Sequence, residues 1–248
     1  MPRRDEIIKF CEDYLKVNEF EDYCVNGLQV EGKKEIKKII TGVSLSQKLI
    51  QEAIKEKADM IMVHHGIFVK QIGTPPKIEG YIKERIKLLL ENDINLAGFH
   101  LPLDAHPEIG NNISLAKKLK LSNIKPFDIG FLGELKKEID FTELVGFIKE
   151  NFSSHPYSIQ GGPKKVKKIG VVSGGAAYDF QEALKNGADT FITGEPTEFV
   201  VRAVEESKIN FIAAGHYQTE KDGVYNLGEL IKKEFGVEHK FIDIPCDV

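Results

Sequence analysis

The 248-residue chain is poor in cysteine: Cys11, Cys24 and Cys246 are the only three, and none shares a CxxC spacing. That argues against a cysteine zinc site and a disulfide framework, and for a reducing compartment. No apolar run approaches the roughly 18 residues a membrane span needs, so no membrane partner is expected. An H-E-x-x-H pair for a zincin helix is also missing. There is no excess of positive charge: 34 Lys and Arg face 38 Asp and Glu, for a net charge of −4. No overall basic field therefore invites nucleic acid. Met1-Pro-Arg-Arg-Asp-Glu6 leads straight into an amphipathic helix pattern rather than a signal peptide, and a cytoplasmic protein is the expectation. The apolar fraction of 42% and charged fraction of 29% suit a globular chain with a full core, in one large domain or two small ones.

The chain is organised around Asp59-Met-Ile-Met-Val-His-His-Gly-Ile-Phe68. Four apolar residues, Met60 to Val63, follow a helical run and read as a strand buried on both faces of a parallel sheet. Ligands of open α/β sheets gather just past the carboxyl ends of such strands, where His64 and His65 stand. Neighbouring strand-end side chains point in different directions. The pair therefore suits two ions side by side, or one ion and a supporting partner.

Helix periodicity runs over 4–15, 46–57, 80–91, 112–119, 141–151, 179–186, 198–206 and 223–235. Short apolar strands read at 28–30, 39–43, 95–99, 169–172, 190–193, 210–214 and 240–244. Val69 to Pro76, with Gly73 and Pro75-Pro76, reads as an exposed loop or a lid. His155 to Lys168 reads as a Gly/Pro/Lys-rich connector, and Pro126 to Gly133 breaks the pattern. Alternating strands and helices call for an α/β fold with largely parallel sheets and helices on their faces.

Two segments match at an offset of 130 without a gap. Gln51-Glu-Ala-Ile-Lys-Glu-Lys-Ala-Asp59 and Gln181-Glu-Ala-Leu-Lys-Asn-Gly-Ala-Asp189 share six of nine residues. Ile94-Asn95 and Ile209-Asn210 each lead an apolar run to a histidine, His100 and His216, and each histidine is followed four residues later by a carboxylate, Asp104 and Glu220. An internal duplication follows, giving two related α/β domains: 1–125 with 217–248, and 126–216, with a metal site at their interface. His64-His65 of the first copy aligns with Gly194-Glu195 of the second.

The strand ends thus offer His64, His65, His100, Asp104, His216 and Glu220, a nitrogen and oxygen set without thiolates. It suits zinc, iron or manganese better than calcium or magnesium. The set exceeds what one tetrahedral zinc uses, and a shared carboxylate can bridge two ions roughly 3.5–4 Å apart. Glu195, at a strand end on the same edge, reads as a general acid/base or a supporting residue. Ser173-Gly-Gly175 opens a helix but matches neither a P-loop nor a dinucleotide fingerprint, and reads as a tight turn. His155 and His239 read as surface residues.

Over nearly its whole length the chain resembles the dinuclear-metal proteins called GTP cyclohydrolase 1 type 2, or NIF-three-like proteins. The resemblance rests on Asn26-Gly-Leu-Gln-Val30, Val63-His-His-Gly66, His100-Leu-Pro-Leu-Asp104 with Gly110-Asn-Asn112, Ser173-Gly-Gly175, Thr193-Gly-Glu195 and Gly215-His-Tyr-Gln-Thr-Glu220. It implies two divalent ions per chain. His65 and Asp104 would hold one, His64 and His216 the other, and Glu220 would bridge them. His100 would orient a ligand or a bound water, and Glu195 or His100 would move protons. The long insert that some relatives carry between the halves is absent.

The resemblance further implies a toroidal homohexamer and a metal-dependent hydrolase. Metal-bound hydroxide would attack a small nucleotide-like substrate at a cyclic amidine C–N bond, as in a GTP cyclohydrolase. The alternative is a ring that binds DNA or a partner, its metal pair structural. For that alternative the lysine groups at 33–38 and 164–168, repeated around a ring, would supply local basic character.

Overall fold

Met60, Ile61, Met62 and Val63 are almost wholly withdrawn from solvent. They form the buried stem of strand β3 (Met60–His65), the centre of a five-stranded sheet. Its other strands are β1 (Gly27–Val30), β2 (Lys38–Ser44), β4 (Asn95–Gly98) and β11 (Glu238–Phe241), in the order β1-β4-β3-β2-β11. All neighbours run parallel except β1, which lies antiparallel on β4. Burying each of the four apolar side chains of β3 contributes roughly 1.5–3 kcal/mol.

The computed structural model describes residues 1–69, 77–153 and 155–247. Residues 70–76, the body of the loop expected at Val69 to Pro76, lie outside that set. The chain divides into a first unit, Met1–Leu103 with Gly223–Ile244, and a second, Asp104–Asp222 with Pro245–Val248. Helices α1 (Arg4–Tyr14), α2 (Gln47–Lys55), α3 (Gly80–Glu91) and most of α10 (Lys221–Phe235) belong to the first unit. Among the described residues no helix is long and apolar enough to cross a membrane.

The second unit carries a six-stranded sheet of β5 (Ser122–Phe127), β6 (Gly130–Asp140), β7 (Tyr157–Gln160), β8 (Lys165–Val171), β9 (Thr190–Thr193) and β10 (Asn210–Ala213). Its order is β5-β6-β8-β9-β10-β7. The β8-β9-β10 core is parallel, and the β5-β6, β6-β8 and β10-β7 pairs are antiparallel. Alternate residues of β9 and β10 enter opposite cores. Ile192 and Ile212 pack with α5 (Asn111–Lys118) and α6 (Phe141–Asn151), while Phe191 and Phe211 pack with α7 (Phe180–Lys185) and α8 (Glu198–Ser207). Both faces of the central strands β9 and β10 are therefore covered, as their continuous apolar runs require.

The division at 125/126 and 216/217 read from the sequence differs from the observed one. Ile113, Leu115, Ala116 and Leu119 of the α5 region share a core with Phe131, Val166 and Ile169, so α5 goes with the second sheet. The pattern break at Pro126 to Gly133 is the turn of the β5-β6 hairpin, where Asp128 takes a positive φ of 45°. The connector from His155 onward contains the edge strand β7.

The two units repeat the same local devices, at the offset of 130 except for the asparagines, Asn95 and Asn210, which are 115 apart. Asp59 accepts the backbone N–H groups of Lys37 (2.8 Å) and Lys38 (3.1 Å), and Asp189 accepts those of Lys167 (2.8 Å) and Lys168 (2.7 Å). Asn95 accepts from Gly32 N–H and donates to the Lys33 carbonyl; Asn210 does the same with Gly162 and Pro163. Each of the two corresponding helices, α2 and α7, is followed by a residue of positive φ, Lys57 (55°) and Gly187 (89°). The next residue in each, Ala58 or Ala188, donates back to the carbonyl of Ala53 or Ala183. This is the left-handed helix stop that favours glycine.

Candidate metal centre

In the first unit β3 delivers His64 and His65, and β4 ends just before His100. One ligand nitrogen from each of the three lies within 4.8 Å of the others. The His64 ring sits 4.6 Å from that of His65 and 4.8 Å from that of His100, centre to centre. His64 is buried, and its Nδ1 is 2.9 Å from the carbonyl oxygen of Phe99. A carbonyl only accepts, so Nδ1 carries a proton, and in the neutral ring the lone pair is then on Nε2, the form a metal ligand needs. His65 Nδ1 lies 2.9 Å from Ser44 Oγ on the neighbouring strand.

The loop before β1 holds this edge in place. Asn26 accepts the backbone N–H of His100 at 2.7 Å, and Gln29 accepts that of Ile67, just past the histidines, at 2.8 Å. Asp22 accepts His100 Nδ1–H at 2.9 Å, the backbone N–H of Cys24 and Leu101, and the Asn26 amide. Burial would raise the Asp22 pKa, but these donors, His100 foremost, outweigh it and hold the carboxyl well below the ordinary range. Asp22 is thus an anion that fixes the His100 ring. Its sequence neighbourhood reads only as a turn, because the contact spans 78 positions.

The second unit gathers Asp104, His216, Glu220 and Glu195. Asp104 and Glu220 are buried, and their ligand oxygens lie within 4.8 Å of one another. His216 opens the short helix α9 (His216–Thr219), which puts Glu220 one turn on, with His216 Nε2 3.1 Å from Glu220 Oε1. Glu195, past the end of β9, accepts a short hydrogen bond from His216 Nδ1. Burial disfavours charge on His216, but the Glu220 and Glu195 carboxylates outweigh it and raise the imidazole to about 9. The folded chain thus favours an imidazolium between two carboxylates, and an ion at His216 Nε2 has to displace that proton, so its binding strengthens as pH rises.

Asp104, on α4 (Leu101–Ala105), accepts the Asn111 amide at 2.8 Å and the Ser173 hydroxyl at 2.9 Å, both on Oδ1. The Ser173-Gly174-Gly175 turn is a brace for carboxylates. Its Ser173 N–H goes to Asn112 Oδ1 and its Gly174 N–H to Thr219 Oγ1, so neither is offered to a phosphate. Gly174 has φ +67°, and a Cβ there would run into the Glu220 carboxylate. Neither Asn111 nor Ser173 stands out as a ligand support in the sequence, since their partner lies 7 and 69 positions away.

His155 is exposed, as expected. His239 is not a surface residue: its side chain is 1% exposed, between Glu229 at 2.8 Å and Thr41 at 2.8 Å. The lysine groups are partly neutralised, since Lys33 pairs with Asp59, Lys38 with Glu56 and Lys165 with Asp140.

The fold and its strand-end imidazoles and carboxylates define a two-unit α/β protein with groups able to hold metal. The family model for Duf34/NIF3 (NGG1p interacting factor 3) matches residues 2–247, and the chain belongs to that family. It is similar to the GTP cyclohydrolase 1 type 2 homolog of Haemophilus influenzae, with 45% identity over 249 residues, 97% of this chain and 98% of the relative. Among solved structures, protein ybgI, whose function is described as unknown, superposes with a TM-score of 0.94 at 39% identity over all of both chains. TTHA1606 from Thermus thermophilus superposes with a TM-score of 0.90 at 35% identity, again over all of both chains.

Proposed function

We propose that this protein is a two-metal hydrolase acting on a nucleotide-like substrate. His65 and Asp104 would hold one ion, His64 and His216 the other, and Glu220 would be shared. The observation that carries the reading is the fixed tautomer of His64, whose Nδ1–H is committed to the Phe99 carbonyl. The Ser173 and Asn111 bonds to one oxygen of Asp104 prepare the carboxylate in the same way. The donor set fits zinc, iron or manganese, each of which accepts imidazole with carboxylate.

Two such ions would supply acidified water and polarise the atom under attack. The chain's own part is orientation and proton handling. Glu195 holds the His216 ring through Nδ1 and stands ready to take a proton at its carboxylate. His100, with its Nδ1–H fixed on Asp22, presents Nε2 for the same task. A cyclic amidine is the substrate class the family relationship favours, with a guanine nucleotide the first to try. The working assembly in this reading is a toroidal homohexamer.

The test is turnover of GTP and related cyclic amidines by protein loaded in turn with zinc, iron and manganese, followed by chromatography of products. Ring-opened product from the native chain and none from folded Glu220→Ala is the expected result. Fully loaded native protein that turns over no nucleotide would overturn the hydrolase reading.

A further inference from the structure

Asp22, His100 and Tyr23 form a chain of three side chains within the first unit. The Asp22 and His100 side chains are 4% and 6% exposed. Tyr23 Oη lies 3.2 Å from His100 Nε2, on the opposite side of the imidazole from Asp22, and the two rings meet edge to face at 4.8 Å. The Tyr23 residue itself is 42% exposed. The order is therefore a buried, hydrogen-bonded carboxylate, a buried imidazole it orients, and, on the far nitrogen, the hydroxyl of a partly exposed tyrosine.

That is the arrangement by which a nucleophile is activated: a weak acid within hydrogen-bond reach of a base that a third group orients. A staple for the loop before β1 would account for Asp22 and Asn26, which bind the His100 and Leu101 backbone. It would not call for a phenol on the remaining imidazole nitrogen.

We propose that Tyr23 is a nucleophilic side chain, with His100 as its base and Asp22 as the residue that positions His100. Its reaction partner is an electrophilic phosphorus or carbon centre bearing an anionic leaving group. The Oη–electrophile bond forms and the electrophile–leaving-group bond breaks. The phenol proton passes to His100 Nε2, and the leaving group departs with the electron pair. This assignment does not depend on the hydrolase reading.

The experiment uses an arylsulfonyl fluoride, whose sulfur takes a tyrosine oxygen and releases fluoride. The full chain is labelled over a time course, and the rate at each tyrosine is read by peptide mass spectrometry. Tyr81, Tyr157, Tyr178 and Tyr225 are comparators within the same molecule, being 61%, 44%, 54% and 47% exposed. If access alone governed labelling, Tyr23 would be the slowest of the five. The expected result is labelling of Tyr23 at least tenfold faster than any comparator. Asp22→Asn and His100→Gln should each remove that excess while leaving the comparator rates unchanged, which also reports that the variants are folded.

Tyr23 labelled no faster than the comparators would overturn the proposal, as would an excess that survives in both variants. A fast Tyr23 in a protein that turns over no nucleotide would leave this proposal standing and remove the hydrolase. An inert Tyr23 in an active hydrolase would do the reverse.

Discussion

Replacing Ser173 by alanine tests whether Asp104 is prepared as a ligand. In the native chain Asp104 Oδ1 takes two buried hydrogen bonds, from Ser173 Oγ at 2.9 Å and Asn111 Nδ2 at 2.8 Å. A hydrogen bond to an ionised group is worth about 1.5–3 kcal/mol. Ser173→Ala removes one of the pair and opens only a hydroxyl-sized gap, so the fold survives. A loss of about 1–2 kcal/mol corresponds to a fall of roughly 2–8 °C in Tm for a chain of this size. Metal affinity falls as well, because the carboxylate must then be ordered when the ion binds. Loss of such a supporting bond typically weakens metal binding about 10–100-fold, and the retained Asn111 bond puts the expectation near ~10-fold. The assay is competition for zinc against a fluorescent chelator, with thermal unfolding of the apo protein alongside. A lowered Tm with zinc affinity unchanged within about threefold would refute the reasoning, since a supporting bond should be worth at least tenfold. Ser173 would then brace the fold alone.

Three other outcomes follow from the geometry. Lys57→Gly should stabilise the chain by up to about 1 kcal/mol in urea unfolding, because the relieved left-handed strain at φ 55°, roughly 1–2 kcal/mol, exceeds the entropy cost of a glycine, roughly 0.5–1 kcal/mol, and the second unit uses Gly187 there. Gly174→Ala combines a φ of +67° with an obstructed Glu220, and should lower Tm and strip bound zinc in the same chelator assay. Asp179 is raised to about 6 from 3.8 by burial and by the charges of Asp128 and Glu182. A raised carboxyl favours the folded state in its protonated form. That contribution is complete below pH 3.8 and is lost as pH rises through 6. Asp179→Asn, which cannot ionise, should therefore gain on the native chain between those values. The advantage should level off above pH 7 at about 1–2 kcal/mol after allowance for solvent screening. Denaturant unfolding from pH 4 to 8 checks this, and a gap that does not vary with pH would contradict it.

Much of the fold is legible because burial writes itself into pattern. Four apolar residues in so short a segment, Met60 to Val63, read as a covered strand, which puts His64 and His65 at its carboxyl end. The duplication is legible for a related reason: Asp59 and Asp189, or Asn95 and Asn210, clip the same backbone positions in each unit. Strands β6 and β7 are not legible. Lys136, Lys137 and Glu138 of β6 face solvent, and β7 is a half-exposed edge, so neither shows an apolar run. The supports of the site escape for another reason. Asp22, Asn111 and Ser173 act through single hydrogen bonds to distant partners, which leave no periodicity. His239 misleads because β11 alternates exposed and half-buried positions close to the chain end, yet its imidazole turns inward to Thr41.

We propose above that the strand-end histidines and carboxylates, groups able to hold metal, bind two divalent ions. The most direct test is metal content per chain by elemental analysis of untagged protein, for the native chain and Glu220→Ala. About two equivalents of zinc, iron or manganese in the native chain, mostly lost in a folded Glu220→Ala, is expected, because a carboxylate shared by two ions would serve both. No bound metal in the native chain after loading with each of the three would contradict it.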